Sequence, residues 1–373
     1  MESFVDGISA VSTGQVGMMA IGALLIYLGI KKQYEPTLLI PMGVGAILVN
    51  IPHSGLISQE INGIVQEGIL DVLFDFGISN ELFPLLIFIG IGAMIDFGPL
   101  LKNPFMFLFG AAAQFGIFFT ILVAIIFGFD LQEAATIGII GAADGPTSIF
   151  VSNQLAPHLL GPITVAAYSY MALVPIIQPI AIRAVTTEKE RKIRMNYKAE
   201  AVSKTTKIIF PIAVILIAGF VAPASLPLVG FLMFGNFIRE CGVLDRLSSS
   251  AQNELVNLVS ILLGLTISVK MTADQFLRLD TLLIIAFGLV AFVMDTVGGV
   301  LFAKLLNLFR KDKINPMVGA AGISAFPMSA RVIQKMAHEE DNQNFVLMYA
   351  VGANVSGQIA SVVAGGLVLN FFT

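Results

Sequence analysis

The chain has no tryptophan, one cysteine and three histidines among its 373 residues. The lone Cys241 excludes an intrachain disulfide and any site built from several thiolates. His53, His158 and His338 lie far apart, with no metal-ligand spacing. Charge is scarce too. Asp, Glu, Lys and Arg make up 12% of the residues, about half the share of an ordinary soluble domain. A net charge of −4 without a large basic region gives no reason to expect nucleic acid as a partner. Without tryptophan, any interfacial belt rests on Tyr and Phe.

The chain is rich in apolar length instead: 56% of it is hydrophobic, with a mean hydropathy of +0.87. Spans are predicted at 15–31, 35–51, 82–96, 104–128, 160–184, 206–222, 226–239, 254–269, 281–307 and 344–370. Several reach the ~20 residues that cross a bilayer. The expected fold is all-α and polytopic in the cell membrane, with about ten transmembrane helices and two broken or re-entrant hairpins. The acidic opening M-E-S-F-V-D-G speaks against a cleavable signal, so the first span is expected to be retained. Residues 53–81 place Glu60, Glu67, Asp71, Asp75 and Glu81 among apolar positions. They read as an amphipathic extramembrane helix with its loops, or alternatively as a weakly hydrophobic extra span.

Basic loops set the orientation. The densest lies at 183–207, with smaller ones at Lys31-Lys32 and Arg310-Lys311-Lys313. The positive-inside rule makes all three cytoplasmic and puts Asp130, Glu133 and 53–81 outside. Counting crossings between these landmarks forces 131–157 to begin and end on the outer side. A second interrupted stretch, 314–337, starts inside. The two share Gly141-Ala142-Ala143 with Gly319-Ala320-Ala321. After a three-residue slip, Pro146, Ser148, Val151, Ala156 and Tyr168 match Pro327, Ser329, Val332, Ala337 and Tyr349. An inverted-topology repeat is expected: a first half 1–184 holding 53–81 and the hairpin 131–157, a cytoplasmic loop 185–205, and a second half 206–373 holding the hairpin 314–337. Recurrence of small residues in packed membrane helices is the competing explanation.

The breaks carry the chemistry. In I-I-G-A-A-D-G-P-T-S, Gly145-Pro146 interrupts the helix and frees carbonyl oxygens beside Asp144. Thr147, Ser148 and Asn153 add oxygens, a set suited to a small hard cation. A charged Asp at bilayer depth costs about 2.5–3.5 kcal/mol, which a bound cation or proton would offset. Pairing with Arg331 or capping of the next helix is the other reading. The second break supplies Asn315, Ser324, Ser329 and Arg331. That arginine suits a carboxylate or carbamate through a bidentate fork, unless it snorkels to the interface. Asn354, Gln358 and Ser361 share one side of a helix, either as interhelical glue or as part of a cation shell. Tyr170 is read as a cavity-facing hydroxyl or an interfacial anchor. Asp295 is a second buried carboxylate and a second-choice ion ligand. Asp96 and Lys270 sit near span ends, and Gln114 is read as helix glue.

Taken together, G-A-A-D-G-P-T-S-I-F, A-Y-S-Y-M-A-L-V-P-I-I-Q-P, N-P-M-V-G-A-A-G-I-S-A-F-P-M-S-A-R and G-A-N-V-S-G-Q-I-A-S resemble the beta subunit of sodium-translocating biotin-dependent decarboxylases. That family includes the oxaloacetate, methylmalonyl-CoA, glutaconyl-CoA and malonate enzymes. The resemblance runs from K-K-Q-Y-E-P-T-L-L-I-P-M-G onward, with no departure at the motif positions. It implies a membrane subunit that decarboxylates carboxybiotin and couples this to sodium export, consuming a proton. The implied partners are a carboxyltransferase alpha subunit, a biotin carrier subunit and a small membrane gamma or delta subunit, with homo-oligomers inside the complex. The resemblance ties Asp144, Tyr170, Asn315, Gly319, Ser324 and Arg331 to sodium binding and coupling, and adds Asn354 and Ser361 to the sodium shell. Arg331 and Ser324 are expected at the carboxybiotin, with Gly145 and Pro146 forming the break. A stand-alone sodium/proton antiporter or organic-anion symporter, or a passive membrane anchor, would also explain the bare motifs. The absence of a long N-terminal extension leans toward a methylmalonyl-CoA or glutaconyl-CoA system.

Overall fold

The computed structural model describes residues 10–33, 35–61, 64–195 and 202–372. Its secondary structure is helical except for one antiparallel ribbon among the described residues, Gln59–Ile61 with Ile64–Gln66. Six helices are long and apolar enough to cross a membrane, or up to eight if each of two bent pairs forms one span. The protein is therefore an all-α polytopic membrane protein. Four of the ten expected spans do not pass as single helices: Pro36–Val49, Leu82–Met94 and Leu226–Glu240 have only 14, 13 and 15 residues, and the span 160–184 is bent by 70° between Met171 and Leu173.

The stretch 53–81 was expected to form an amphipathic helix with its loops, and the structure adds a strand ribbon to it. It holds the ribbon, then helix Ile69–Phe74 running into a wider turn at Asp75–Ser79, which is bent 57° from Leu82–Met94. Long-range bonds override the local helical spacing: Ser58 N–H donates to Asp71 Oδ2 at 2.5 Å and Gly68 N–H to Ser58 Oγ at 3.1 Å.

Helices in lipid gain little from burying apolar surface, so close contact depends on small residues. Leu82–Met94 and Leu226–Glu240 cross at Gly92 and Gly235. A Cβ on Gly92 would lie 1.8 Å from Leu232 O, and one on Gly235 would lie 1.9 Å from Ile89 O. These obstacles are backbone and cannot swing aside. Gly235→Ala is expected to cost about 1–3 kcal/mol by overpacking. A lower midpoint of thermal unfolding in detergent reads this cost, and an unchanged midpoint contradicts it.

The two interrupted hairpins define the centre. The first comprises Leu131–Gly138, a tight turn Ile139–Ala142, and Gly145–Leu155. Its ends meet where His158 Nε2 lies 3.0 Å from Glu133 Oε1. The second comprises Met317–Ala320 and Met328–Glu340, and both its ends dock on the basic loop. At one end Asn315 Nδ2 donates to Arg191 O and Ile193 O at 2.7 and 2.9 Å. At the other, Arg191 and Arg194 pair with Glu340 and Asp341, each at 2.6 Å. The Arg194 contact holds the Asp341 carboxyl below its ordinary range. Leu160–Val185, bent by 70° between Met171 and Leu173, runs from the His158 end to the Arg183 end, so the ends of the two hairpins are met at opposite ends of this helix.

A third interruption was not expected. The span 104–126 is divided at Gln114 into Phe107–Ala113 and Phe115–Ile126.

Candidate functional site

The first break is shaped residue by residue. The turn Ile139–Ala142 ends at Ala143, left-handed at φ 53°, and Asp144 is extended as the cap of Gly145–Leu155. Pro146 occupies the first turn of that helix, where a missing N–H costs no bond. The Asp144 carboxylate accepts from Thr147 Oγ1 at 2.7 Å and from Ser361 Oγ at 2.9 Å. Thr147 N–H reaches it only at 3.4 Å. Asp144 is buried, and no basic side chain pairs with it among the described residues. Of the two structural roles read from the sequence, capping is realised and pairing with Arg331 is not.

The second break meets the first directly. Ser324 donates through both its N–H and its Oγ to Ala142 O, at 3.1 and 3.0 Å. Helix Leu347–Phe372 lies across both breaks. Asn354 Nδ2 donates to Ile323 O at 2.6 Å, Gln358 Nε2 to Ser324 O, and Ser361 to Asp144. The polar stripe at i, i+4 and i+7 therefore reaches into the breaks rather than gluing two intact helices. Across the pair, Gln178 from the first half donates to Ala320 O at 2.9 Å and Ser329 Oγ at 2.8 Å. Each break is thus tied to the long helix that follows the other.

Two oxygens in this region lack donors: Asn354 Oδ1 and Gln358 Oε1 are buried and unpartnered. An unsatisfied buried acceptor costs about 1–3 kcal/mol, and a cation or a donor-bearing ligand removes that cost. The available set is one carboxylate, the three hydroxyls of Thr147, Ser324 and Ser361, two amide oxygens and backbone carbonyls. No cluster of three or more His, Cys, Asp or Glu able to hold a metal occurs among the described residues. The chemistry fits a single small, hard, monovalent cation.

A cavity of about 380 Å³ connects this oxygen set to an exposed basic group. Asp144, Ser324 and Gln358 form its buried wall, while Arg331 and Met94 are exposed. Arg331 lies one turn into Met328–Glu340, whose far end meets the basic loop. Among the described residues its guanidinium has no hydrogen-bonding partner. The cavity therefore carries an exposed guanidinium on one side and buried carboxylate, hydroxyl and amide groups on the other.

Not every residue singled out from the sequence gathers here. The amide of Asn315 is spent on the basic loop. Tyr170 donates to Ile285 O, which leaves its hydroxyl outside the cavity lining. Gly319 serves a close crossing, since a Cβ there would lie 2.0 Å from Gly299 O. Asp295 is buried elsewhere, against Gly116 and Gly141. Asp96 pairs with Lys207 at 2.9 Å, and the Lys270 ammonium lies 4.9 Å from the centre of the Phe74 ring.

Sequence reasoning missed Tyr168. Its hydroxyl is buried without a partner, and a Cβ on Gly145 would lie 2.7 Å from it. Its only sequence signal was the match to Tyr349. Two residues along a helix turn the side chain by about 200°, so Tyr168 and Tyr170 project on opposite sides.

The comparisons with known proteins agree with one another. A family model described as the Na+-transporting oxaloacetate decarboxylase beta subunit matches residues 14–372. The methylmalonyl-CoA decarboxylase subunit beta of Propionigenium modestum is 48% identical, over 98% of this chain and 97% of that protein. The corresponding subunit of Veillonella parvula is 48% identical, over 98% and 95%. The oxaloacetate decarboxylase beta chain of Klebsiella pneumoniae is 44% identical, over 98% and 96%.

Proposed function

Because the chain belongs to the family of the Na+-transporting oxaloacetate decarboxylase beta subunit, we propose that it decarboxylates carboxybiotin in the Arg331 cavity and uses that event to export sodium. It is a multi-pass cell-membrane subunit of a sodium-pumping decarboxylase. The finer assignment rests on the cavity that joins a basic mouth to an oxygen-lined floor.

In this reading, carboxybiotin arrives on a carrier subunit from the cytoplasmic side, after a carboxyltransferase has loaded it. The Arg331 guanidinium holds the carbamate through two parallel hydrogen bonds and masks its own charge in doing so. Masking matters because an uncompensated cation in the same low-dielectric cavity repels sodium. Sodium then settles on Asp144 and Ser361, with the free oxygens of Asn354 and Gln358 to complete its shell. Loss of CO2 from the carbamate takes up one proton and removes the anion. Arg331 regains its field, and sodium is driven off toward the outer side. Ser324 joins the two breaks, so movement of one hairpin is transmitted to the other. With the hairpins related as an inverted repeat, rocking of one half against the other supplies alternating access.

Asn315 and Tyr170 take part in this scheme as supports: one anchors the second hairpin to the basic loop and the other braces Leu160–Val185 against Leu279–Phe309. The choice of acyl substrate resides in the carboxyltransferase. The test is reconstitution of the complex in liposomes with a carboxylated biotin carrier. Sodium-stimulated CO2 release with sodium movement supports the proposal. Sodium/proton exchange that proceeds without the carrier, and no sodium-stimulated CO2 release, would replace it with a stand-alone antiporter.

A further inference from the structure

Asp295 lies in Leu279–Phe309 with no exposed surface and lines none of the cavity described above. Its carboxyl faces the third interruption. At the division at Gln114, Asp295 meets the first N–H groups of Phe115–Ile126 from another helix, sharing the Ile117 N–H with Gln114 O at 3.2 Å. Oδ1 accepts from Ile117 N–H at 3.2 Å, beside the Gly116 backbone. Oδ2 is buried with no partner. Glycines press on both oxygens: a Cβ on Gly116 would lie 2.5 Å from Oδ1, and one on Gly141 would lie 2.7 Å from Oδ2. Gly141 belongs to the turn that leads into Asp144, so this carboxyl backs onto the same break.

Leu279–Phe309 packs against Leu160–Val185, Phe115–Ile126, Phe107–Ala113, Leu131–Gly138, Ile139–Ala142 and Met317–Ala320. These elements contribute Tyr168, Tyr170, Arg183 and Glu133 as ionisable groups. The Tyr168 hydroxyl lies against Gly145, Tyr170 bonds to Ile285 O, Arg183 pairs with Glu339, and Glu133 pairs with His158. Its own helix adds Asp280, beside Arg278, and Lys304, beside Glu190. None of these groups bonds to Asp295 among the described residues. A lone anion here would carry the full cost of a charge in hydrocarbon.

The geometry discriminates between the two cations that could neutralise it. Sodium requires a shell of several oxygen ligands. Here one carboxyl oxygen already faces an N–H donor, whose polarity opposes a metal ion, and glycine backbone approaches both oxygens closely. A proton needs only Oδ2. We propose that Asp295 is a proton-binding site of the translocation machinery, separate from the Asp144 cavity and packed against the reverse side of the same break. Loss of the proton places a charge beside Gly141 and favours a rearrangement that gives Oδ2 a donor. Protonation is thereby coupled to the position of the first hairpin. The role in turnover rests on the sodium-pump reading; the presence of the proton does not.

Infrared difference spectroscopy of the complex in lipid tests the proton directly. The expected result is the C=O band of a protonated carboxylic acid that is lost in Asp295→Asn and retained in Asp144→Asn. Asp295→Glu, which keeps the acid, shifts the band and covers the case in which Asp295→Asn does not fold. Turnover is the second readout. The wild-type rate should fall on the alkaline side as the acid ionises, and Asp295→Asn should lose that decline because an amide has no proton to release. A band untouched in Asp295→Asn, or an alkaline limb still present in that variant, overturns the proposal. Absence of sodium-stimulated turnover in every form would remove the pump reading while leaving the band assignment standing.

Discussion

Asp144→Asn should raise the sodium concentration that half-saturates CO2 release by about 10² to several 10³-fold. Removing one partner of a buried charge pair costs about 3–5 kcal/mol, and each 1.4 kcal/mol is about tenfold in affinity. The substitution keeps the fold for an identifiable reason. An Asn amide oxygen in the place of Oδ2 keeps the two shorter bonds, from Thr147 Oγ1 and Ser361 Oγ, and gives up only the 3.4 Å contact with Thr147 N–H. The lost charge, not a lost helix, is therefore what the experiment reads. Sodium titration of CO2 release in proteoliposomes, with labelled-sodium uptake alongside, provides the measurement. Sodium transport left intact would point to a passive anchor and end the assignment of Asp144 as the ion-binding carboxylate.

Arg331→Ala acts at the other end of the cavity and should be separable from it. Truncating a charged partner of a bound anion costs roughly 2–5 kcal/mol. At about 3 kcal/mol, the rate at low concentrations of carboxylated carrier falls on the order of a hundredfold. Arg331→Lys should recover part of this loss, since an ammonium retains charge but not the planar fork. The sodium midpoint is expected to hold or to fall slightly, because a competing cation has been removed from the mouth. This opposition in direction is the useful feature. Asp144→Asn moves the sodium dependence, whereas Arg331→Ala moves the carrier dependence. If Arg331→Ala raised the sodium midpoint and left the carrier dependence alone, the guanidinium would not be the anion's partner.

The Asp144–Ser361 bond joins residues 217 positions apart, and the Ser324–Ala142 bond joins residues 182 apart. Neither pairing follows from local pattern. The sequence shows that 352–361 carries a polar stripe and that 141–148 carries a break. A stripe on an apolar helix, however, does not say which neighbour it meets. In a soluble helix the apolar face points inward and the polar face outward, so the pattern itself gives the rotation. Between lipid and packed protein both surroundings are apolar, and that cue disappears. The same loss explains why Tyr170 was singled out when Tyr168 lies beside the break. It also explains why Asn315, placed near the second break by sequence order, is found on the basic loop.

By itself the sequence determined the membrane class and the location of both breaks, and its loop charges led to the expectation of opposed hairpins. These depend on hydropathy, on the sign of loop charges, and on the fixed φ and missing N–H of proline, all of which act within a few residues of chain. Only the tertiary structure decided which oxygens share the Asp144 site, that Arg331 opens onto them, and that Asp295 is held at a third break against Gly141. Those outcomes depend on helix rotation and on crossings set by glycine-sized gaps between distant segments. In an apolar environment that information resides in packing and not in any one stretch of chain.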